Sequence, residues 1–141
     1  MTIPEIQDQI VSDFSLFEDW EGKYIYLDEL ARSLPLIDAE FKAEQYVISG
    51  CQSKVWLHAD FRDGKIFFTA DSDAIITKGI VSLLIRVLSG HTPDEIINAD
   101  MGFIEKIGLR EHLSPTRSNG LSSMMKQMKM YALAYKAKSK V

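Results

Sequence analysis

The sequence predicts an α+β protein in which a small antiparallel sheet of about three strands packs against several helices. Two observations carry that expectation. From Lys54 to Phe61 the residues Val55, Leu57, Ala59 and Phe61 alternate with Trp56, His58 and Asp60, the period of two of a strand covered on one face. Arg62-Asp63-Gly64-Lys65 then supplies a tight hairpin turn, and on both sides of the hairpin apolar residues recur at helical spacing. With 141 residues, 46% of them hydrophobic, residues 1–141 are expected to form one domain. A chain of this size buries about 70% of its unfolded surface.

Thr2-Ile3-Pro4-Glu5 has the form of a capping box with proline in the first turn, and Ile6, Ile10, Val11 and Phe14 follow on one helical face to about Ser15. A second helix starts near Asp19 or Trp20 and carries Tyr24, Leu27, Leu30, Ala31 and Leu34 until Pro35 stops it. Tyr26, Asp28, Glu29 and Arg32 are expected to face water. After a charged connector, a first strand is expected near Gln45 to Ile48. The hairpin follows, and its second strand is expected over Ile66 to Ala70. Ala74 to Ser89 reads as a central helix, apolar nearly all round, with Gly79 marking close backbone packing and Gly90 ending it. Thr92-Pro93-Asp94-Glu95 opens a short helix by a second capping box, and Gly102 to Ile107 reads as another. Ser114 to Gly120 is expected to be a polar loop. Leu121, Met124, Met125, Met128, Ala132 and Tyr135 form the apolar stripe of a C-terminal helix.

The formal charge of −4 argues against generic nucleic-acid binding, which depends on clustered Lys and Arg. The start Met1-Thr2-Ile3-Pro4-Glu5 lacks the basic and apolar regions of an export signal, and no apolar run approaches the roughly 18 residues of a membrane span. The expected location is the cytoplasm, with no membrane association. His58, His91 and His112 share no metal-ligand spacing with each other or with a cysteine.

The single cysteine, Cys51, follows Val47-Ile48-Ser49-Gly50 and precedes Gln52-Ser53-Lys54, so it falls on the link between two strands. Gly50 can take positive φ and leaves room beside the sulfur, while Gln52 and Ser53 suit a solvated loop. Cys51 admits two readings: a small buried hydrophobe, or a reactive thiol whose pKa an adjacent cation such as Lys54 lowers.

Three stretches taken together resemble the SufE family of sulfur acceptors: Ser49 to Leu57, Asp71-Ser72-Asp73 to Gly79, and His112 to Leu121. Trp20-Glu21-Gly22-Lys23-Tyr24 and Leu30 to Leu34 extend the resemblance over nearly the whole chain. It implies a compact fold shared with iron–sulfur scaffold proteins of the IscU type, with the cysteine on an exposed loop beside the small sheet. The implied activity is to accept persulfide sulfur from a SufS-type cysteine desulfurase, stimulate that enzyme and deliver the sulfur to a SufBCD-type assembly scaffold. Pyridoxal phosphate would belong to the desulfurase; no cofactor or metal is expected on this chain. Such a protein is a sulfur-transfer partner and activator rather than a stand-alone enzyme, expected as a monomer or weak homodimer.

Cys51 matches the family's acceptor cysteine. Arg117 is the charged residue of the Ser114–Asn119 stretch; it would stabilise a sulfur anion, dock on the desulfurase, or tie down its loop. Asp71 and Asp73 would order the loop near the sulfur or cap the central helix, capping being favoured for at least one of them. Two alternatives stand beside this assignment: a CsdE-type paralogue serving a different desulfurase, and a regulatory binding module with an inert Cys51.

Overall fold

The computed structural model describes residues 1–139. Helix α1 (Ile3–Phe14) starts on Thr2, whose hydroxyl accepts from the Glu5 backbone at 3.2 Å while the Glu5 carboxylate accepts from the Thr2 backbone at 2.9 Å. The box satisfies two backbone donors that the first turn leaves unpaired. Helix α2 (Trp20–Ser33) is capped by Asp19, which accepts from Gly22 N at 2.9 Å, and it ends before Pro35. Tyr26, expected in water, instead packs on Phe14 and Phe17, each ring 5.2 Å away. The short connector brings the end of α1 alongside that face of α2, and the two aromatic residues cover it.

Strands β1 (Val55–Arg62) and β2 (Lys65–Ser72) pair antiparallel around Asp63 and Gly64, which both take positive φ, 54° and 76°. Val55, Leu57 and Ala59 share the buried face with Ile66, Phe68 and Ala70. The sheet has two strands among the described residues. The strand expected near Gln45 to Ile48 shortens to a single bridge between Val47 and Trp56, with Ile48 N donating to Val55 O at 2.8 Å. Residues Glu44–Tyr46 form a 3-10 turn, so their backbone groups bond locally, and Gly50 then turns the chain away.

Helix α3 (Ile75–Leu88) crosses behind the sheet and is the most buried helix of the core. Gly79 lets it close on α2: a Cβ there would lie 2.5 Å from the Leu27 carbonyl oxygen. The expected aspartate cap is absent. Ala74 occupies the N-cap position without a side-chain bond, and Ser72 Oγ accepts from Ala74 N at 3.2 Å. Two short helices follow, α4 (Pro93–Ile97), which carries the second capping box, and α5 (Phe103–Lys106).

Helix α6 (Pro115–Ser139) lies against β1, where Tyr131 and Tyr135 donate to the carbonyls of Leu57 and Ala59 at 3.3 and 3.1 Å. Its inner stripe buries Leu121, Met124, Met128 and Ala132. The polar loop expected at Ser114 to Gly120 is therefore helix from Pro115 onward. Proline in the first turn costs no bond, and Ser114 accepts from Arg117 N through its hydroxyl (3.3 Å) and from Ser118 N through its carbonyl (2.9 Å). None of the described helices is long and apolar enough to cross a membrane.

Candidate functional site

The Ile48–Val55 bond closes residues 49–54 into a short loop lying on the first turns of α6. Gly50 makes that approach possible, and Gly120 supplies the helix surface that the cysteine meets. Gly50 sits at φ +90°, and a Cβ on it would meet Ser123 Oγ at 2.5 Å; Gly120, inside α6, faces the cysteine, where a Cβ would lie 3.5 Å from Cys51 Sγ. The thiol points to the Gly120 carbonyl at 3.6 Å. The structure thus places Cys51 half-buried against a helix rather than at the tip of an exposed loop.

Around the sulfur is a small hollow to which Gln52, Ser53, Thr77, Ile80, Arg117 and Met124 contribute. Its free volume is about 10 Å³, at the lower limit for one water. Burial pushes the Cys51 thiol above its ordinary pKa, and no cation offsets it. Lys54, the residue that could have lowered it, is exposed and has its backbone committed elsewhere. The resting thiol is therefore protonated at neutral pH and a poor nucleophile.

The loop's far end is tied down by the Asp71-Ser72-Asp73 stretch. Asp73 Oδ1 accepts from Lys54 N at 3.1 Å, Asp73 N donates back to Lys54 O at 3.3 Å, and Ser72 Oγ donates to the same carbonyl at 2.8 Å. Asp71 stands one step behind, bridging Lys42 at 3.1 Å and Lys78 at 3.2 Å. Burial works against its ionisation, but hydrogen bonds from Lys42, the Ser72 backbone and Lys78 outweigh it and hold the carboxyl below its ordinary value.

The structure thus gathers Cys51, Gln52, Ser53 and Arg117 around one hollow, seats Gly50 beside Ser123, and sets Asp73 at the loop's hinge, with Asp71 supporting Asp73's neighbourhood. Gly120 and Ser123 were not legible as site residues; a glycine followed by a helical pattern was the signal, and it reads equally well as the end of a loop. His112 joins two of the recognised stretches structurally: its ring stacks on Trp20 at 4.0 Å and its carbonyl accepts from Tyr24. His58 stacks on Phe41 and His91 contacts the Met1 carbonyl, so the three histidines lie apart. Among the described residues no group of side chains could hold a metal ion.

The model of the SufE family, described as an Fe-S metabolism associated domain, matches residues 8–132. The chain belongs to the SufE family. Among the relatives of this SufE-family chain, an uncharacterized SufE-like protein of Rhizobium meliloti is 39% identical over 130 residues, covering 89% of the chain and 93% of the relative. One from Synechocystis is 37% identical over 134 residues, covering 95% and 84%. SufE-like protein 1, chloroplastic/mitochondrial, of Arabidopsis thaliana is 36% identical over 136 residues, which is 96% of the chain but 36% of the plant protein. The solution structure of a hypothetical protein from Thermus thermophilus shares the fold, with a TM-score of 0.77, 24% identity and coverage of 95% and 97%.

Proposed function

We propose that Cys51 is the acceptor in a sulfur relay. It takes sulfur from the persulfide of a pyridoxal-phosphate cysteine desulfurase, relieves that enzyme of its product and so stimulates it, and passes the sulfur to iron–sulfur assembly. The observation that carries this reading is a lone thiol seated on a glycine of α6, in a loop pinned at both ends, within a chain of the SufE family.

The transfer step is balanced without an external oxidant. The Cys51 thiolate attacks the outer sulfur of the donor persulfide; a new sulfur–sulfur bond forms on Cys51, the donor's bond breaks, and the donor cysteine leaves as a thiolate. The chain has one cysteine, so the product cannot collapse to an internal disulfide, and handing the sulfur to another protein is its exit. One thiolate is also too few to hold an iron–sulfur cluster.

The closed geometry gives the partner a task. A hollow of about 10 Å³ has no room for a second sulfur atom, and the buried thiol ionises poorly. The loop from Gly50 to Ser53 must leave α6 before the reaction, which exposes the sulfur at the donor's surface and shelters it from oxidants otherwise. Arg117, exposed on the rim of the hollow, would meet the anionic persulfide, its guanidinium supplying the opposite charge. We place the reaction in the cytoplasm and expect delivery to a scaffold of the SufBCD type.

The test is desulfurase turnover with and without the protein. Wild type should stimulate it, and Cys51→Ser should fold normally and stimulate nothing. Equal stimulation by the Ser variant would leave a binding module with an inert cysteine, a reading that the half-burial and raised pKa of the thiol would then favour.

A further inference from the structure

Charge is distributed unevenly along this chain. Arg117, Lys126, Lys129, Lys136, Lys138 and Lys140 supply six of its sixteen cations from Pro115 onward, with no Asp or Glu among them, so all twenty carboxylates and ten cations fall in the first 114 residues. Two of the six are used inside the fold: Lys129 donates to the carbonyl of Ala99 at 2.7 Å, and Lys136 pairs with Asp94 at 2.6 Å. Lys126 stands exposed on the outer side of α6.

On that side, Asn119, Ser122, Lys126, Met130, Leu133 and Ala137 recur at steps of three and four and are all exposed. Met130 and Leu133 are 51% and 53% exposed although the inner stripe of the same helix is fully buried. The row extends about 27 Å at the helical rise. It begins at Asn119, next to the glycine whose carbonyl faces the Cys51 thiol, so whatever reaches the thiol can continue onto it.

Building on the sulfur-acceptor reading, we infer that this outer face of α6 is a docking surface for the sulfur donor, and that the donor presents acidic side chains around an apolar centre that covers Met130 and Leu133. An isologous contact with a second copy would bring together two faces that each carry a lysine and no carboxylate, which offers no charge complementarity. Two large apolar side chains without an exposed aromatic partner are too little to insert into a lipid surface. A protein partner with carboxylates fits both features.

The experiment measures sulfur transfer from the desulfurase to Cys51 as a function of acceptor concentration for wild type, the double variant Met130→Ser/Leu133→Ser, and Lys126→Glu. The double variant should raise KM about tenfold with kcat within twofold, the behaviour of a lost docking hot spot. Lys126→Glu should raise KM about threefold at low ionic strength and match wild type in 0.5 M salt, as expected for a screened contact. Unchanged KM in both variants overturns the inference while leaving the acceptor reading intact; absence of transfer to wild type overturns both. If the variants instead abolish a self-associated species in sedimentation, or binding to anionic vesicles, with KM unchanged, the face belongs to a second copy or to lipid and the proposal fails.

Discussion

Replacing Gly50 by alanine should open the Cys51 loop, and the size of the effect can be worked from two features of the structure. The backbone holds Gly50 at φ +90°, a region in which an L side chain is strained by about 1–3 kcal/mol. The new Cβ would also fall 2.5 Å from Ser123 Oγ, although that hydroxyl can rotate away, so the backbone is the larger effect. Both costs apply only while the loop lies on α6, because an open loop can change φ and leave Ser123. Destabilising the closed state by about 1.4 kcal/mol multiplies the open fraction about tenfold. Alkylation of Cys51 by iodoacetamide, followed by intact mass under pseudo-first-order conditions at fixed pH, should therefore accelerate on the order of tenfold, because a packed thiol reacts only as fast as it opens. Adding Ser123→Gly should return only a small part of the difference. An unchanged or slower rate in Gly50→Ala would refute the view that close seating of the loop on α6 shields the sulfur.

Asp73→Ala removes the acceptor of the Lys54 backbone and should accelerate alkylation about threefold to tenfold, in line with the loss of about one hydrogen bond, with little change in melting temperature. Gly79→Ala brings a methyl against the Leu27 carbonyl and should cost about 1–3 kcal/mol in urea unfolding while leaving alkylation of the native state nearly unchanged. The pH dependence has a definite sign. Burial raises the Cys51 pKa in the folded state, so the unfolded chain ionises first; the stability tied to this thiol is fully present below its unfolded pKa, about 8.5, and is lost as pH rises through the folded value. Wild type should lose stability relative to Cys51→Ser only above that pH, and its alkylation profile should have a midpoint above about 8.5.

The parts of this fold written in local pattern were legible in the sequence. The two capping boxes at Thr2 and Thr92, the stop at Pro35, the Asp63-Gly64 turn and the alternation of β1 each follow from backbone chemistry within a few residues. What was not legible depends on which element lies opposite. Ser114-Pro115-Thr116-Arg117 reads as loop by composition, yet the same serine and proline start a helix once α6 has a sheet to lie on. The segment before Cys51 reads as a strand, yet it forms one bridge because Gly50 must turn back to reach Ser123. Asp73 looks like a helix cap by position, but Lys54, nineteen residues earlier, offers the backbone donor that it takes. The chemistry of Cys51 shows the same division. Its identity as the lone thiol is in the sequence, whereas its closure against Gly120, and the raised pKa that follows, depend on a residue 69 positions away.

Incubating the reduced protein with a cysteine desulfurase, pyridoxal phosphate and free cysteine, and reading intact mass beside Cys51→Ser, tests the relay most directly. Wild type alone should gain about 32 Da per sulfur, removed by reductant. No gain on wild type with a competent desulfurase, or an equal gain on Cys51→Ser, would contradict it.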